Sequence, residues 1–133
     1  MKLYHGTNVH FDTIDLSKSM PNKDFGKGFY LTTIYEQAKK FAERRTKSFG
    51  GKIIIQTYEF DENILHGSSL NIRIFDNPSK EWAEFVFNNR NQRMSFHHSY
   101  DIVVGPVADD GVAFLLNQYQ EGNITLHVSY QTG

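Results

Sequence analysis

Alternation of apolar and polar residues marks the strands that this chain is expected to form. The clearest case is the segment 52–60, where Ile53, Ile54 and Ile55 precede an alternating stretch, because β-branched side chains favour a half-buried strand. Six strands are predicted in this way, over residues 2–5, 29–31, 52–60, 70–75, 100–106 and 124–130. Gly105 and Pro106 are expected to close the fifth of them.

A spacing of three and four residues between apolar side chains predicts the first of three helices. Its apolar stripe consists of Ile34, Ala38, Phe41 and Ala42. Thr33 and Glu36 have the spacing of a capping box, which places the helix start there. Gly50 and Gly51 predict that the helix ends near Ser48.

Two further helices are predicted in the second half of the chain. Pro78 suits the first turn of a helix that begins at residues 77–78. Its buried stripe is expected to consist of Trp82, Phe85, Val86 and Asn89. Asp109 and Asp110 suit the N-terminal end of a third helix, which Gly122 would end. The residues that would bury this third helix are Phe114, Leu115 and Leu116.

These elements alternate irregularly, with few strand–helix–strand crossovers. The order predicts an α+β fold, a mostly antiparallel sheet with helices packed against it. A length of 133 residues predicts one domain over residues 1–133.

Composition narrows the function classes. The formal net charge is −1, so no overall field attracts the chain to nucleic acid or to an acidic membrane. Cysteine is absent, which excludes disulfides, thiolate nucleophiles and cysteine-based zinc sites. No apolar run approaches membrane-spanning length and no signal peptide is recognised, so we expect a cytoplasmic location without membrane contact.

The tripeptide His5-Gly6-Thr7 ends the first predicted strand. It offers an imidazole, a backbone that a planar amide can approach, and a hydroxyl group. A histidine that caps a turn is the simpler explanation of this tripeptide taken alone.

A glycine loop precedes the short second strand. Gly26 and Gly28 allow a tight bend, and Tyr30 and Phe41 follow on the strand and the first helix. Two aromatic side chains suit a flat, ring-bearing ligand, although core packing is the alternative interpretation.

The two motifs together resemble the ADP-ribosyltransferases of the diphtheria-toxin and poly(ADP-ribose) polymerase type. There the first motif is His-Gly followed by Ser or Thr, and the second is a Gly-x-Gly-x-Tyr strand followed by a helix with another aromatic residue. Here Phe41 stands eleven residues after Tyr30, where the family usually has Tyr, and the match covers residues 5–42. The segments 82–90 and 101–110 look like a small bacterial family that shares both motifs.

The resemblance implies an ADP-ribosyltransferase-like fold with NAD as substrate and without a metal. His5 would hydrogen-bond a ribose hydroxyl on the adenosine side, and the Gly6 backbone would hold the nicotinamide carboxamide. Thr7 would support this motif, while Tyr30 and Phe41 would sandwich the nicotinamide ring. The implied NAD-binding set is His5, Gly6, Thr7, Gly28, Tyr30 and Phe41.

The chain departs from the family at the helix and at the third motif. Gln37 and Ala38 stand where the family often has a Lys and a small hydroxyl residue, so one contact to the carboxamide is missing. The third motif supplies a Glu or Gln at a late strand, to stabilise the positive charge that develops on the ribose. The candidates here are Asn123 before the strand 124–130, Glu121 upstream of it, and Glu84 as a substitute acid.

Other titratable groups favour simpler roles. The histidines share no chelating spacing, and the adjacent pair is expected in a surface loop, so no metal site is expected from His10, His66, His97, His98 and His127. The first helix is basic, through Lys39, Lys40, Arg44, Arg45 and Lys47. This indicates a solvated face or, together with residues 88–93, a contact with an acidic partner or a nucleic-acid backbone.

Two functions stay open at this point. The first is an NAD-dependent mono-ADP-ribosyltransferase with a protein or nucleic-acid acceptor, acting as a bacterial toxin or phage-defence component with an antitoxin partner. The second is an inactive NAD- or nucleotide-binding or interaction module, since the third motif is either degenerate or lost by C-terminal shortening.

Overall fold

The strands in the described part of the chain form two sheets. The computed structural model describes residues 1–11, 24–25, 28–67, 69–91, 98–107, 111–117 and 124–132, the last range for its backbone only. Each sheet is in one of two compact units. The first unit consists of Met1–Ile14, Leu31–Gly67 and Gln120–Gly133, and the second of Asp15–Tyr30 and Ser68–Tyr119.

The sheet of the first unit is three-stranded and antiparallel. Its order is β1-β3-β7, formed by β1 (Lys2–Thr7), β3 (Ile53–Phe60) and β7 (Ile124–Thr132). Direct cross-strand pairs set His5 opposite Gln56 and Gly6 opposite Ile55. The sequence prediction of a strand at each of these three places is confirmed, with β1 and β7 each two residues longer than predicted.

The helix α1 (Tyr35–Phe49) packs on the face of this sheet to which Gly6 belongs. Ala38 and Ala42 are buried in the contact, and a Cβ atom at residue 6 would overlap the Ala38 carbonyl oxygen. The glycine therefore lets helix and strand approach closely.

The ends of α1 test two predictions. The capping box of Thr33 and Glu36 is wrong, because the helix is preceded by Ile34 without a side-chain cap. Instead, the hydroxyl of Thr32 accepts a 3.1 Å hydrogen bond from the Ile34 N–H. At the other end Gly50 has φ 79°, and its N–H donates to the Thr46 carbonyl, so the predicted end near Ser48 is confirmed within one residue.

Gly6→Ala is expected to lower the free energy of unfolding by about 1–3 kcal/mol, the range of overpacking substitutions. The added methyl group forces β1 and α1 apart, because the atom that it meets is backbone and not a flexible side chain. Thermal unfolding followed by circular dichroism measures the change. Ser48→Ala, on an exposed position of α1, is the control, and equal melting temperatures for the two variants would contradict the packing argument.

The second unit contains a four-stranded sheet in the order β2-β6-β5-β4. The strands are β2 (Phe29–Leu31, whose last residue is counted with the first unit), β4 (Ile72–Ile74), β5 (Ile102–Val107) and β6 (Gly111–Leu116). β5 and β6 pair antiparallel, whereas β4 pairs parallel to β5 and is joined to it through α2 (Lys80–Asn91). The predicted α+β class is confirmed, as are the mostly antiparallel ladders.

The third predicted helix is wrong: residues 111–116 form the strand β6. Four consecutive side chains there are buried, at Ala113, Phe114, Leu115 and Leu116. A central strand buries both of its faces and so carries a continuous apolar run, which over six residues looks the same as a buried helical turn. Asp109 and Asp110, the expected helix start, lie outside the described residues.

The stripe predicted for α2 is confirmed. Val86 and Asn89 are buried and Trp82 and Phe85 are half-buried. The helix begins two residues after Pro78, because the Ser79 hydroxyl accepts a hydrogen bond from the Trp82 N–H at 3.1 Å. The indole N–H of Trp82 in turn donates to the Pro106 carbonyl at 2.6 Å, on a strand that runs one residue past this proline.

Aromatic rings fill the core of the second unit. Phe25 is fully buried, with ring centroids 6.5 Å from Phe75, 6.1 Å from Phe85 and 6.4 Å from Tyr30. The aliphatic residues of this core are Val86, Val103, Ala113 and Leu115.

Candidate functional site

The motif residues His5, Gly6 and Thr7 form the end of β1. Side chains alternate between the faces of a strand, so His5 and Thr7 lie on the face opposite to α1. Gly6 is on the α1 face, where its lack of a side chain is required. The strand thus separates the imidazole from the helix.

The backbone of Gly6 points to the outer edge of β1. Tyr4 exchanges two hydrogen bonds with Thr32, at 2.7 and 2.9 Å, on the side of β1 away from β3. In an antiparallel pair, the N–H and C=O of every second residue point to the same side. The Gly6 amide groups therefore have the direction of the Tyr4 groups and do not point toward β3.

Thr7 is buried and its hydroxyl is fixed by the turn that follows. The hydroxyl donates to the Val9 carbonyl at 3.0 Å and is 3.2 Å from the Val9 N–H, which can donate to it. Asn8 fastens the same turn to the loop after α1, with its side chain donating to the Gly50 carbonyl and its carbonyl accepting from the Lys52 N–H. These hydrogen bonds fix the turn that follows β1.

His5 is half-buried beside an aromatic ring. Its imidazole lies edge-on to Phe11, with ring centroids 5.6 Å apart and an interplanar angle of 69°. Directly opposite on β3 is Gln56, which is completely buried. Gln56 was absent from the residues that the sequence singled out, because its contact lies 45 positions away.

Phe41 is half-buried on α1, in the same unit as His5. One turn earlier on this helix, Gln37 accepts a 3.0 Å hydrogen bond from the Thr32 hydroxyl, and Ala38 is buried. Both positions that depart from the resembled enzymes therefore have structural contacts of their own.

Tyr30 belongs to the second unit, where its ring packs on Phe25 with an interplanar angle of 20°. Its hydroxyl oxygen accepts a 3.0 Å hydrogen bond from the Phe25 N–H. Burial raises the pKa of Tyr30 far above its ordinary value; the Phe25 N–H lowers it, and the nearby Asp24 carboxylate raises it further. The hydroxyl is therefore neutral across the physiological range.

Gly28 precedes Tyr30 by two residues and is buried in the second unit. A Cβ atom there would overlap the Leu115 side chain and would lie 2.9 Å from the Leu116 carbonyl oxygen. As with Gly6, close packing alone requires glycine at this position. His5, Gly6, Thr7 and Phe41 belong to the first unit, while Gly28 and Tyr30 belong to the second.

The candidate catalytic residues are only partly described. Glu84 is exposed on α2, whereas Glu121 and Asn123 lie outside the described residues. In the parts of the chain that the structure covers, no three His, Asp or Glu side chains cluster as a metal site would require.

His98 departs from the surface loop that the sequence predicts for it. It is half-buried, its ring lies 5.2 Å from Phe85 and 5.6 Å from Tyr100, and its Nδ1 accepts from the Tyr100 N–H at 3.1 Å. Nε2 must then carry the proton and donate to the Phe25 carbonyl at 2.7 Å. No periodicity signals such a role. His97 lies outside the described residues.

The basic residues of α1 are largely solvated. Lys40, Arg44 and Lys47 are exposed, and the Arg45 guanidinium lies 4.6 Å from the centroid of the Phe49 ring. Among the residues described, no helix is long and apolar enough to cross a membrane.

Comparison with known proteins identifies the family of the chain. The family model described as "Protein of unknown function (DUF3990)" matches residues 1–131. The chain belongs to this DUF3990 family. No curated protein matches the sequence.

A solved structure shares the fold of this DUF3990 chain. A chain in the crystal structure of the M. tuberculosis MbcT-MbcA toxin–antitoxin complex matches it with a TM-score of 0.58 and 13% sequence identity. The match covers 98% of this chain and 83% of that chain. At such identity the similarity shows the fold alone.

Proposed function

We propose that this chain is an NAD-dependent mono-ADP-ribosyltransferase that modifies a protein or nucleic-acid acceptor. The observation that carries the proposal is the end of β1, where His5 lies on one face and the Gly6 amide groups point to the outer edge. A planar carboxamide has one donor and one acceptor side, so it pairs with such an edge as a neighbouring strand does. This supports Gly6 as the residue that holds nicotinamide and His5 as a ligand of ribose.

Tyr30 and Phe41 take the ring-stacking roles in this proposal, as the sequence motif predicts. The aromatic character of both residues supports contacts with a flat ring. The hydroxyl of Tyr30 is already bonded to Phe25, so the proposal assigns to Tyr30 only the face of its ring.

The proposed reaction breaks the bond between nicotinamide and ribose. Nicotinamide leaves with the bonding electron pair, the acceptor forms the new bond to the ribose carbon, and the acceptor's proton goes to a base or to water. The leaving group is already cationic, so binding and orientation carry most of the catalysis. Glu84, Glu121 and Asn123 stay the candidates for the group that stabilises charge on the ribose.

We also propose a toxin role, with an antitoxin protein as partner and the cytoplasm as the place of action. The support is the fold that this chain shares with a chain of the MbcT-MbcA toxin–antitoxin complex. The formal net charge of −1 gives no strong attraction to a polyanion such as nucleic acid, which favours a protein as the partner.

Purified protein is expected to release nicotinamide from NAD, and His5→Ala is expected to lower kcat/KM by about 10- to 100-fold. The loss reflects one hydrogen bond to ribose. Phe41→Ala is expected to lower it as well, through lost stacking. Chromatography of NAD and nicotinamide measures the rate, and labelled NAD detects transfer to an acceptor.

Two substitutions serve as matched controls. His10→Ala changes an exposed histidine, and Phe49→Ala changes a phenylalanine of α1 that is 67% exposed. Both are expected to leave the rate unchanged. Calorimetric binding of NAD without release of nicotinamide would favour the alternative, an inactive binding module, which the missing third-motif acid supports. Absence of both binding and turnover would refute the proposal.

A further inference from the structure

The side chain of Gln56 acts as a clamp inside the first unit. It is completely buried, and its Nε2 donates to the Phe11 carbonyl at 2.9 Å while its Oε1 accepts from the Phe11 N–H at 3.3 Å. One carboxamide thus bonds both backbone groups of a residue 45 positions away. Nε2 also donates to the Tyr58 hydroxyl at 3.0 Å.

Such a fully bonded buried amide holds its partners rigidly. If Phe11 moved, Oε1 and one of the two N–H groups of Nε2 would lose their partners, and each unpaired group costs roughly 1–3 kcal/mol. A side chain selected only to fill this place would be apolar, like the neighbouring Ile54 and Ile55. The polar residue therefore fixes the position of Phe11.

Phe11, held by Gln56, in turn contacts the side chain of His5. The two rings are in edge contact at 5.6 Å, and His5 lies directly opposite Gln56 in the β1–β3 ladder. His5, Phe11 and Gln56 accordingly form a closed triangle. One side is set by strand pairing in the sheet and the other two by side-chain contacts. The imidazole is therefore in contact with a ring whose backbone Gln56 holds in place.

We propose that Gln56 is a positioning residue for the NAD-binding histidine. It orients His5 through Phe11, so that the imidazole is already directed for a ribose hydroxyl before NAD binds. Preorganisation of this kind improves affinity, because less side-chain freedom is lost on binding. The identity of the ligand, NAD, rests on the proposed function. The orientation of His5 by Gln56 does not depend on it.

The test compares Gln56→Leu with Thr57→Val. Leu removes both bonds to Phe11, whereas Thr57 is the neighbouring buried residue of β3, whose hydroxyl has no hydrogen-bond partner among the described residues. The imidazole signals of His5, assigned with His5→Ala, are recorded by nitrogen-15 NMR without NAD. Gln56→Leu is expected to shift or broaden them, and Thr57→Val to leave them unchanged.

Affinity for NAD is the second readout. Calorimetry is expected to give a Kd about tenfold weaker for Gln56→Leu, whereas Thr57→Val binds like the wild type. A lower melting temperature for Gln56→Leu with unchanged His5 signals and unchanged Kd would overturn the positioning role, because it would leave only a structural one.

Phe11→Leu keeps the proposal testable if Gln56→Leu does not fold. This substitution retains the backbone groups that Gln56 binds and removes only the ring, so it is expected to move the His5 signals in the same way. Unchanged His5 signals in this variant would contradict the claim that Phe11 orients His5. Shifted His5 signals in a protein that binds no NAD would refute the proposed function and would leave the orientation of His5 by Gln56 supported.

Discussion

Phe25→Ala is expected to lower the free energy of unfolding by about 3–5 kcal/mol, the range for a fully buried aromatic residue. Phe25 is 0% exposed and its ring lies among those of Phe75, Phe85 and Tyr30. The cavity cannot close easily, because β-strand backbones carry several of the surrounding side chains. For a small domain with a total stability of about 5–15 kcal/mol, this loss is a large fraction.

Urea denaturation followed by tryptophan fluorescence measures this effect. The chain has a single tryptophan, Trp82, and it packs against this core in the second unit. Phe49→Ala, at a position 67% exposed on α1, is the control and is expected to change stability by less than about 0.5 kcal/mol. Midpoints for the two variants that agree within error would contradict the assigned core.

The strands and helices with a clear local period could be predicted from the sequence. The triple isoleucine of β3 and the stripe of α2 are local signals, and both elements are found where the pattern indicates. β6 was mistaken for a helix because its six residues are apolar on both faces. The division into two sheets could not be predicted, since strand pairing depends on contacts distant in the chain.

The candidate site likewise has residues that the sequence predicts and residues that it does not. His5, Gly6 and Thr7 are consecutive, so a motif finds them, whereas Gln56 is one polar residue within a strand and its partner lies 45 residues away. A pattern of residue types carries no information about such a pair. The hydrogen bond from the Phe25 N–H to the Tyr30 hydroxyl joins residues that are close in the chain, but residue types do not show which backbone group a hydroxyl meets.

The glycines of both motifs have structural reasons that the sequence does not display. Gly6 lets α1 approach β1, and Gly28 lets the chain pass Leu115 and Leu116. A glycine in a motif is therefore weak evidence for a ligand. The observation that supports the proposed carboxamide contact is the direction of the Gly6 amide groups, which, like those of Tyr4, do not point toward β3.

Tyr30→Phe separates the two roles of this residue. Loss of the hydroxyl leaves the Phe25 N–H without its acceptor, which is expected to cost about 1–3 kcal/mol of stability near neutral pH. The aromatic face is kept, so affinity for NAD is expected to stay close to that of the wild type. Tyr30→Ala removes the ring as well and is expected to lose both stability and NAD binding. A Tyr30→Phe protein that folds but binds NAD much more weakly would contradict the role assigned to the ring.

The stability difference between wild type and Tyr30→Phe is expected to shrink at alkaline pH. Burial raises the pKa of Tyr30 in the folded protein, so the unfolded chain, with a tyrosine pKa of about 10, loses its proton first. The contribution of the hydroxyl is therefore complete below about pH 10. Above it, the free energy of unfolding falls by about 1.4 kcal/mol per pH unit until the folded pKa is reached. Tyr30→Phe lacks this ionisation, and all other groups titrate in both proteins. Urea midpoints at pH 8, 9, 10 and 11 measure the difference, and a constant gap over this range would show that Tyr30 is not buried with its proton.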